Sequence, residues 1–180
     1  MCRQSITYNA VAYMTIILAL VASGGQAQTA LQTSPGRTMK SYTKVSNGYV
    51  MVLRQGQHLF EELERFASEE KIPAANFTGM GFVNITFGYF DFDTKQYLPG
   101  EFANVELASM HGSIAWKEGK PSIHAHGVVG DQSFETHSGH ILKGTVSTGS
   151  VEIVITVHNK RFERRRDETL GADVLDISID

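Results

Sequence analysis

The sequence predicts an α+β domain, a mainly antiparallel β-sheet packed with one principal helix. Three observations carry that expectation. Only residues 58–71 show convincing helical periodicity. The stretches after them are rich in aromatic and β-branched residues and are joined by short turns rather than by helical crossovers, which favours antiparallel pairing. The chain has 180 residues, 42% hydrophobic and 19% charged, enough for one folded domain with a real core.

The elements follow in order. Residues 1–27 carry Arg3 as their one charge, an apolar run over 11–21, then Ala22, Ser23, Gly24 and Gly25. Gly25-Gln26-Ala27 offers small side chains where a signal peptidase reads. The apolar run is about half of the ~20 residues that span a bilayer. A cleaved export signal is therefore expected, and with it a periplasmic or secreted protein. Cleavage would take the single cysteine, Cys2, and change the net charge from -3 to -4, because Arg3 is the only charge lost. Disulfide and thiolate chemistry would go with it. Residues 28–40 are polar, contain Pro35 and Gly36, and read as a flexible lead. The domain is expected over residues 41–180.

Within it, Tyr49 to Leu53 form a strand candidate preceded by the turn pair Asn47-Gly48. The helix follows. Leu59, Phe60, Leu63, Phe66 and Ala67 share one side of it, and Glu61, Glu62, Glu64, Glu69 and Glu70 take the other, a solvated face. Pro73 ends it. Residues 77–92, broken by Gly79, Gly81 and Gly88, suggest two strands with bulges or close backbone approaches. Residues 105–110, 113–116, 122–129 and 151–158 are further strands, and Lys117-Glu118-Gly119-Lys120 is a hairpin turn. Residues 159–180 are charged and then weakly apolar, with Val174, Leu175 and Ile177 able to dock as a closing element.

The chemistry-bearing motif is Ile123-His124-Ala125-His126-Gly127, followed by Ser138-Gly139-His140. Residues two apart on a strand point to one face. A hairpin centred near Ser133 would set His126 opposite His140, with His124 a diagonal neighbour. Three imidazoles so placed can hold a divalent transition metal and leave a position for water or a ligand. Zinc is the first expectation, with nickel, copper and iron also suited to such a donor set. A register slip of one residue would send His140 to the other face. Glu135, Glu152 and Asp131 are the nearby candidates for a general base; no catalytic residue is assigned. His111 and His137 are extra donors nearby, expected to be satisfied or exposed. His58 and His158 lie apart from the cluster.

A series of motifs then carries a resemblance: Gly79-Met80-Gly81-Phe82, Gly88-Tyr89-Phe90-Asp91, residues 105–114 with His111-Gly112-Ser113, Pro121-Ser122-Ile123-His124-Ala125-His126, Ser138-Gly139-His140 and Val151-Glu152-Ile153. In that order they resemble the plants-and-prokaryotes-conserved (PPC) domain, from Ser41 to Phe162. The resemblance implies an antiparallel sheet with a flanking helix, and assembly as a homotrimer. In plant members the domain follows AT-hooks that bind A/T-rich DNA. Bacterial members are often the bare domain and are commonly labelled DNA-binding. Members with three histidines look metal-binding, and His124, His126 and His140 match those positions. Ser138 departs from the usual glycine.

No AT-hook is present: Ser34-Pro35-Gly36-Arg37 lacks the Arg-Gly-Arg-Pro core. The basic cluster Lys160, Arg161, Arg164, Arg165 and Arg166 is interrupted by Glu163 and followed by Asp167 and Glu168. It reads as a solvated or subunit-contacting segment, and a net charge of -3 gives no general case for nucleic acid. The leading expectation is an exported homotrimer holding a metal on three histidines, with metal-assisted chemistry on a small ligand as the reaction such a site offers. DNA binding and a purely structural trimer are the alternatives.

Overall fold

The computed structural model describes residues 40–177. The expected signal segment, and the expected lead up to residue 39, lie outside the described residues. The elements run β1 (Tyr42–Val45), β2 (Gly48–Arg54), α1 (Leu59–Glu69), β3 (Ala74–Asp91), β4 (Gln96–Lys117), β5 (Lys120–Gly130), β6 (Thr136–His158), β7 (Glu163–Asp167) and β8 (Ala172–Asp176). They form one eight-stranded sheet in the order β1-β2-β6-β3-β4-β7-β8, with β5 pairing both β4 and β6. All pairings are antiparallel except a single parallel contact between Trp116 of β4 and Glu163 of β7. The expected fold class is therefore the one found: mostly sheet, with one helix.

The strands differ from expectation in length. β3, β4 and β6 have 18, 22 and 23 residues, several times the usual ~5–6. Residues 77–92 belong to one strand, not two, and residues 105–110 and 113–116 are parts of another. The interruptions read from Gly79 and Gly81 are bulges: the β3–β4 register shifts between Gly79 and Gly81 and again between Val83 and Ile85. Bulges bend a strand without ending it. The bending lets the ladder close through β3, β4, β5 and β6 back to β3. The Glu118-Gly119 turn holds as expected, both residues having positive φ (52° and 79°), as a tight two-residue hairpin requires.

The core lies on one face of this sheet. Met51, Leu53, Phe77, Met110, Ile114, Ile141, Ile153 and Ile155 are buried there, joined by Leu59, Leu63, Phe66 and Ala67 of α1. The helix is pinned at its C-terminal end. The phenols of Tyr42 and Tyr49 donate to the Glu70 carboxylate at 2.9 and 3.0 Å, and both rings meet Phe66 edge-on at 4.9 Å. The last stretch forms the β7–β8 ribbon, with Leu175 opposite Arg164, but Leu175 and Ile177, expected to dock, are exposed.

Candidate metal centre

Because Ala125 is buried in the core, the alternating pleat turns His124 and His126 outward. The β5–β6 hairpin sets His126 directly opposite His140, the register expected from a reversal near Ser133. Gly127 opposes Gly139 beside them. The three rings lie 5.0–5.3 Å apart between centroids, and one nitrogen from each falls within 4.8 Å of the others.

Two neighbours shape the site. Tyr97 stacks on His140, centroids 4.6 Å apart and planes 14° from parallel. Gly112 of β4 lies against β5 so closely that a Cβ there would sit 2.3 Å from the His124 carbonyl oxygen and 2.5 Å from the Phe77 ring. Only glycine lets the two strands approach this way.

Burial pushes the His140 imidazole down to about 4, with the His124, His126 and Arg164 charges adding to the effect. Burial, then Arg164 and His126, lowers His124, and burial, then His111, lowers His126. All three therefore stay neutral near pH 7, which is the form that coordinates a metal. Nδ1 of His140 is buried with no hydrogen-bond partner. A buried imidazole nitrogen left bare is costly, and a cation bound to it would satisfy it. The residues thus fit a metal on physical grounds.

His111 is exposed and sits opposite His126 across the β4–β5 ladder, so it borders the same face. His137 falls on the other face of β6, stacked on Phe102 at 4.4 Å and near Asp131 at 3.6 Å. Asp131 and Glu135 group with His137, not with the triad. Asp131 is engaged in its turn, accepting from the amides of Ser133 and Glu135. Glu152 lies opposite Met80 and Val52, so none of the three acids considered as a base joins the histidines' ligand cluster. His58 bonds Thr145 at 3.0 Å and His158 bonds Asn76 at 2.6 Å.

Within the basic cluster, expected to be a solvated or subunit-contacting segment, Lys160, Arg161, Arg165 and Arg166 are exposed and Arg164 is the exception. Arg164 is only 6% exposed, and its Nη2 donates to the Ser113 hydroxyl at 2.7 Å. Ser113 stands opposite His124. The sequence signal was slight: Arg164 is one of several arginines, and only the pairing of β7 beside β4 brings it here.

Known proteins share this fold. A protein from Ralstonia eutropha JMP134 that carries a provisional DNA-binding name is 51% identical, with a TM-score of 0.74 over 76% of this chain and 96% of that one. The "Metal-containing Protein" from Archaeoglobus fulgidus is 29% identical, with a TM-score of 0.65 over 76% of this chain and 98% of that one. Among curated proteins, the "Bifunctional protein GlmU" of Synechococcus sp. (strain JA-3-3Ab) is 30% identical over 131 residues, 68% of this chain; the chain spans only 19% of that relative's length. Residues 40–159 match the family described as the Plants and Prokaryotes Conserved (PCC) domain, which covers all three histidines, the long bulged strands and α1. The motifs, the fold and that match together make this chain a member of the PCC (PPC) domain family.

Proposed function

We propose that this protein is an exported homotrimer that holds a divalent transition metal, zinc first, on His124, His126 and His140. The observation that carries the reading is the convergence of three neutral imidazoles within 4.8 Å, one of them with a buried, unpartnered Nδ1. The name of the Archaeoglobus fulgidus relative adds support. His124 and His126 would bind as a same-face pair from β5, and His140 would close the set from β6. Tyr97 would hold the His140 ring in plane. A bound metal supplies Lewis acidity to whatever small ligand takes its remaining position. Export rests on the pattern of residues 1–27. The trimer rests on the family resemblance and on exposed apolar residues along one sheet face, Met80 (58% exposed) and Val154 (49%) among them.

The test is elemental analysis of purified mature protein beside His124→Ala and His140→Ala. Expected is about one metal per chain in the wild type and a loss of at least tenfold in occupancy in each variant, with the fold retained by circular dichroism. A folded wild type without metal after incubation with zinc would end the reading.

DNA binding is a second reading, favoured by the name of the 51%-identical relative. The arginines give it little support. Arg161 lies over the Trp116 ring at 4.2 Å and bonds Glu163, Arg165 pairs with Asp176, and Arg164 is buried. Salt-sensitive retardation of duplex DNA at low ionic strength, lost on Arg165→Ala/Arg166→Ala, is what that reading requires.

A further inference from the structure

We infer that Arg164, held by Ser113 beside the three histidines, forms an anion subsite, and that the ligand taken there is a small carboxylate. The inference rests on the metal reading and extends it to the class of ligand.

Arg164 is an unusual arginine. Its neighbours in the chain spend their charge at the surface, Arg161 on Glu163 and Arg165 on Asp176. Arg164 turns inward and is one of two buried polar residues among those described, the other being Thr86. Its only side-chain hydrogen bond among the described residues is to the neutral hydroxyl of Ser113. Its Nε is buried with no partner. The acid whose charge supports it, Asp173, is already bound to Lys117 at 2.7 Å. A guanidinium cannot escape by losing its proton, and a buried charge without a counterion is strongly disfavoured.

Its position gives this cost a direction. Ser113 faces His124 across the β4–β5 ladder, so the guanidinium is anchored on the histidine side of the sheet. Beside Ser113 runs a cleft of about 430 Å³, lined by His111, Ser113, His124 and His126, room enough for a small organic acid; Arg164 itself borders a second cleft, with Lys117, Glu118 and Glu163, and meets the first through its hydrogen bond to Ser113. With a divalent ion on the histidines, two positive centres would stand on either side of Ser113. A carboxylate answers both. It can accept from the free Nε and from Nη2 in the planar two-oxygen geometry that guanidinium prefers, and it can meet the metal's remaining position.

The experiment uses full-length protein loaded with cobalt(II), whose visible spectrum reports a ligand arriving at the metal. Wild type is titrated with acetate, with lactate and with inorganic phosphate, and cobalt content is measured on the same samples. A saturable spectral change with the carboxylates is expected, at lower concentration than with phosphate. Arg164→Met should keep about one cobalt per chain and bind carboxylate at least tenfold more weakly; Arg164→Lys should fall between. Arg164→Met titrating like wild type overturns the inference, as does tighter binding of phosphate. A cobalt-loaded wild type that does not respond to carboxylates also overturns it, the result expected if a carboxylate of a second copy already fills the site. A wild type that takes no cobalt overturns the metal reading beneath it, so the two failures are told apart by metal content. If Arg164→Met does not fold, Ser113→Ala decides: a several-fold loss of carboxylate affinity supports the subsite, and unchanged affinity removes it.

Discussion

At the scale of single residues, the site owes as much to packing as to donor atoms. His140 is a ligand candidate whose ring is fixed by an aromatic neighbour instead of by a carboxylate. Tyr97 stacks within 4.6 Å and 14° of parallel, and burial raises its own phenol. Stacked aromatic pairs contribute about 0.5–1.5 kcal/mol beyond area, and ~1.4 kcal/mol is a tenfold change in a binding constant. Tyr97→Leu keeps the apolar bulk and removes the stack. We expect it to weaken zinc affinity by roughly threefold to tenfold, measured by competition with a coloured chelator, while leaving the metal stoichiometry at saturation unchanged. Equal affinity in the two proteins would mean that the strand pair alone orients His140.

At the scale of elements, α1 is tied to the sheet by one carboxylate that two phenols share. The hydrogen bonds from Tyr42 and Tyr49 hold the Glu70 carboxyl below the usual carboxylate range, with Lys40 and Lys44 assisting and partial desolvation opposing. A carboxyl depressed in the folded state stabilises the fold while it is ionised. That contribution is full above its unfolded value, about 4.3, and is lost as pH falls through the lower folded value. Tyr42 is shifted the other way, raised by burial and by Glu70 and Glu69. Its share is present below the ordinary phenol value and fades as pH rises above it. Wild type should therefore exceed Glu70→Gln in melting temperature across the neutral range, and the gap should close in acid below about pH 4. A gap that stays constant down to pH 2 would show that Glu70 acts through shape alone. This cluster also marks what was legible beforehand. The periodicity of Leu59, Leu63 and Phe66 gave the helix and its buried side, and two-residue spacing with a centred turn gave the histidine register. The tie at Glu70 was not legible, since a glutamate on a polar helix face looks solvated until β1 and β2 fold over it. Bulged glycines resembled strand ends because local sequence cannot show a partner strand continuing past them. Arg164 was hidden for the same reason: its burial depends on β7 meeting a strand some fifty residues earlier.

At the scale of the whole molecule, the two faces of the sheet are unequal. One is covered by α1 and carries the core. On the other, cross-strand partners line up as Val50, Val154, Thr78, His111, His126 and His140, each opposite the next. The row begins apolar and ends at the histidines. Met80 stands near its apolar end, opposite Glu152, and Phe82 is 41% exposed beyond it. Large apolar patches left open on a soluble protein mark contact surfaces, and a closed symmetric assembly covers the same patch on every copy. The proposed homotrimer would bury this end of the row and leave β5 at its margin. Val154→Glu places a charge in the middle of that patch, where it would have to be desolvated in each of three contacts. Its side chain points away from the core, so the fold should survive, with far-ultraviolet circular dichroism unchanged. The expected result by light scattering at micromolar concentration is a trimer mass for the wild type and a monomer mass for the variant. Zinc stoichiometry should stay near one per chain, because the histidines lie at the other end of the row. A variant that remains trimeric would place the contact elsewhere; a variant that becomes monomeric and also loses zinc would show that the metal centre needs a neighbouring copy to be complete.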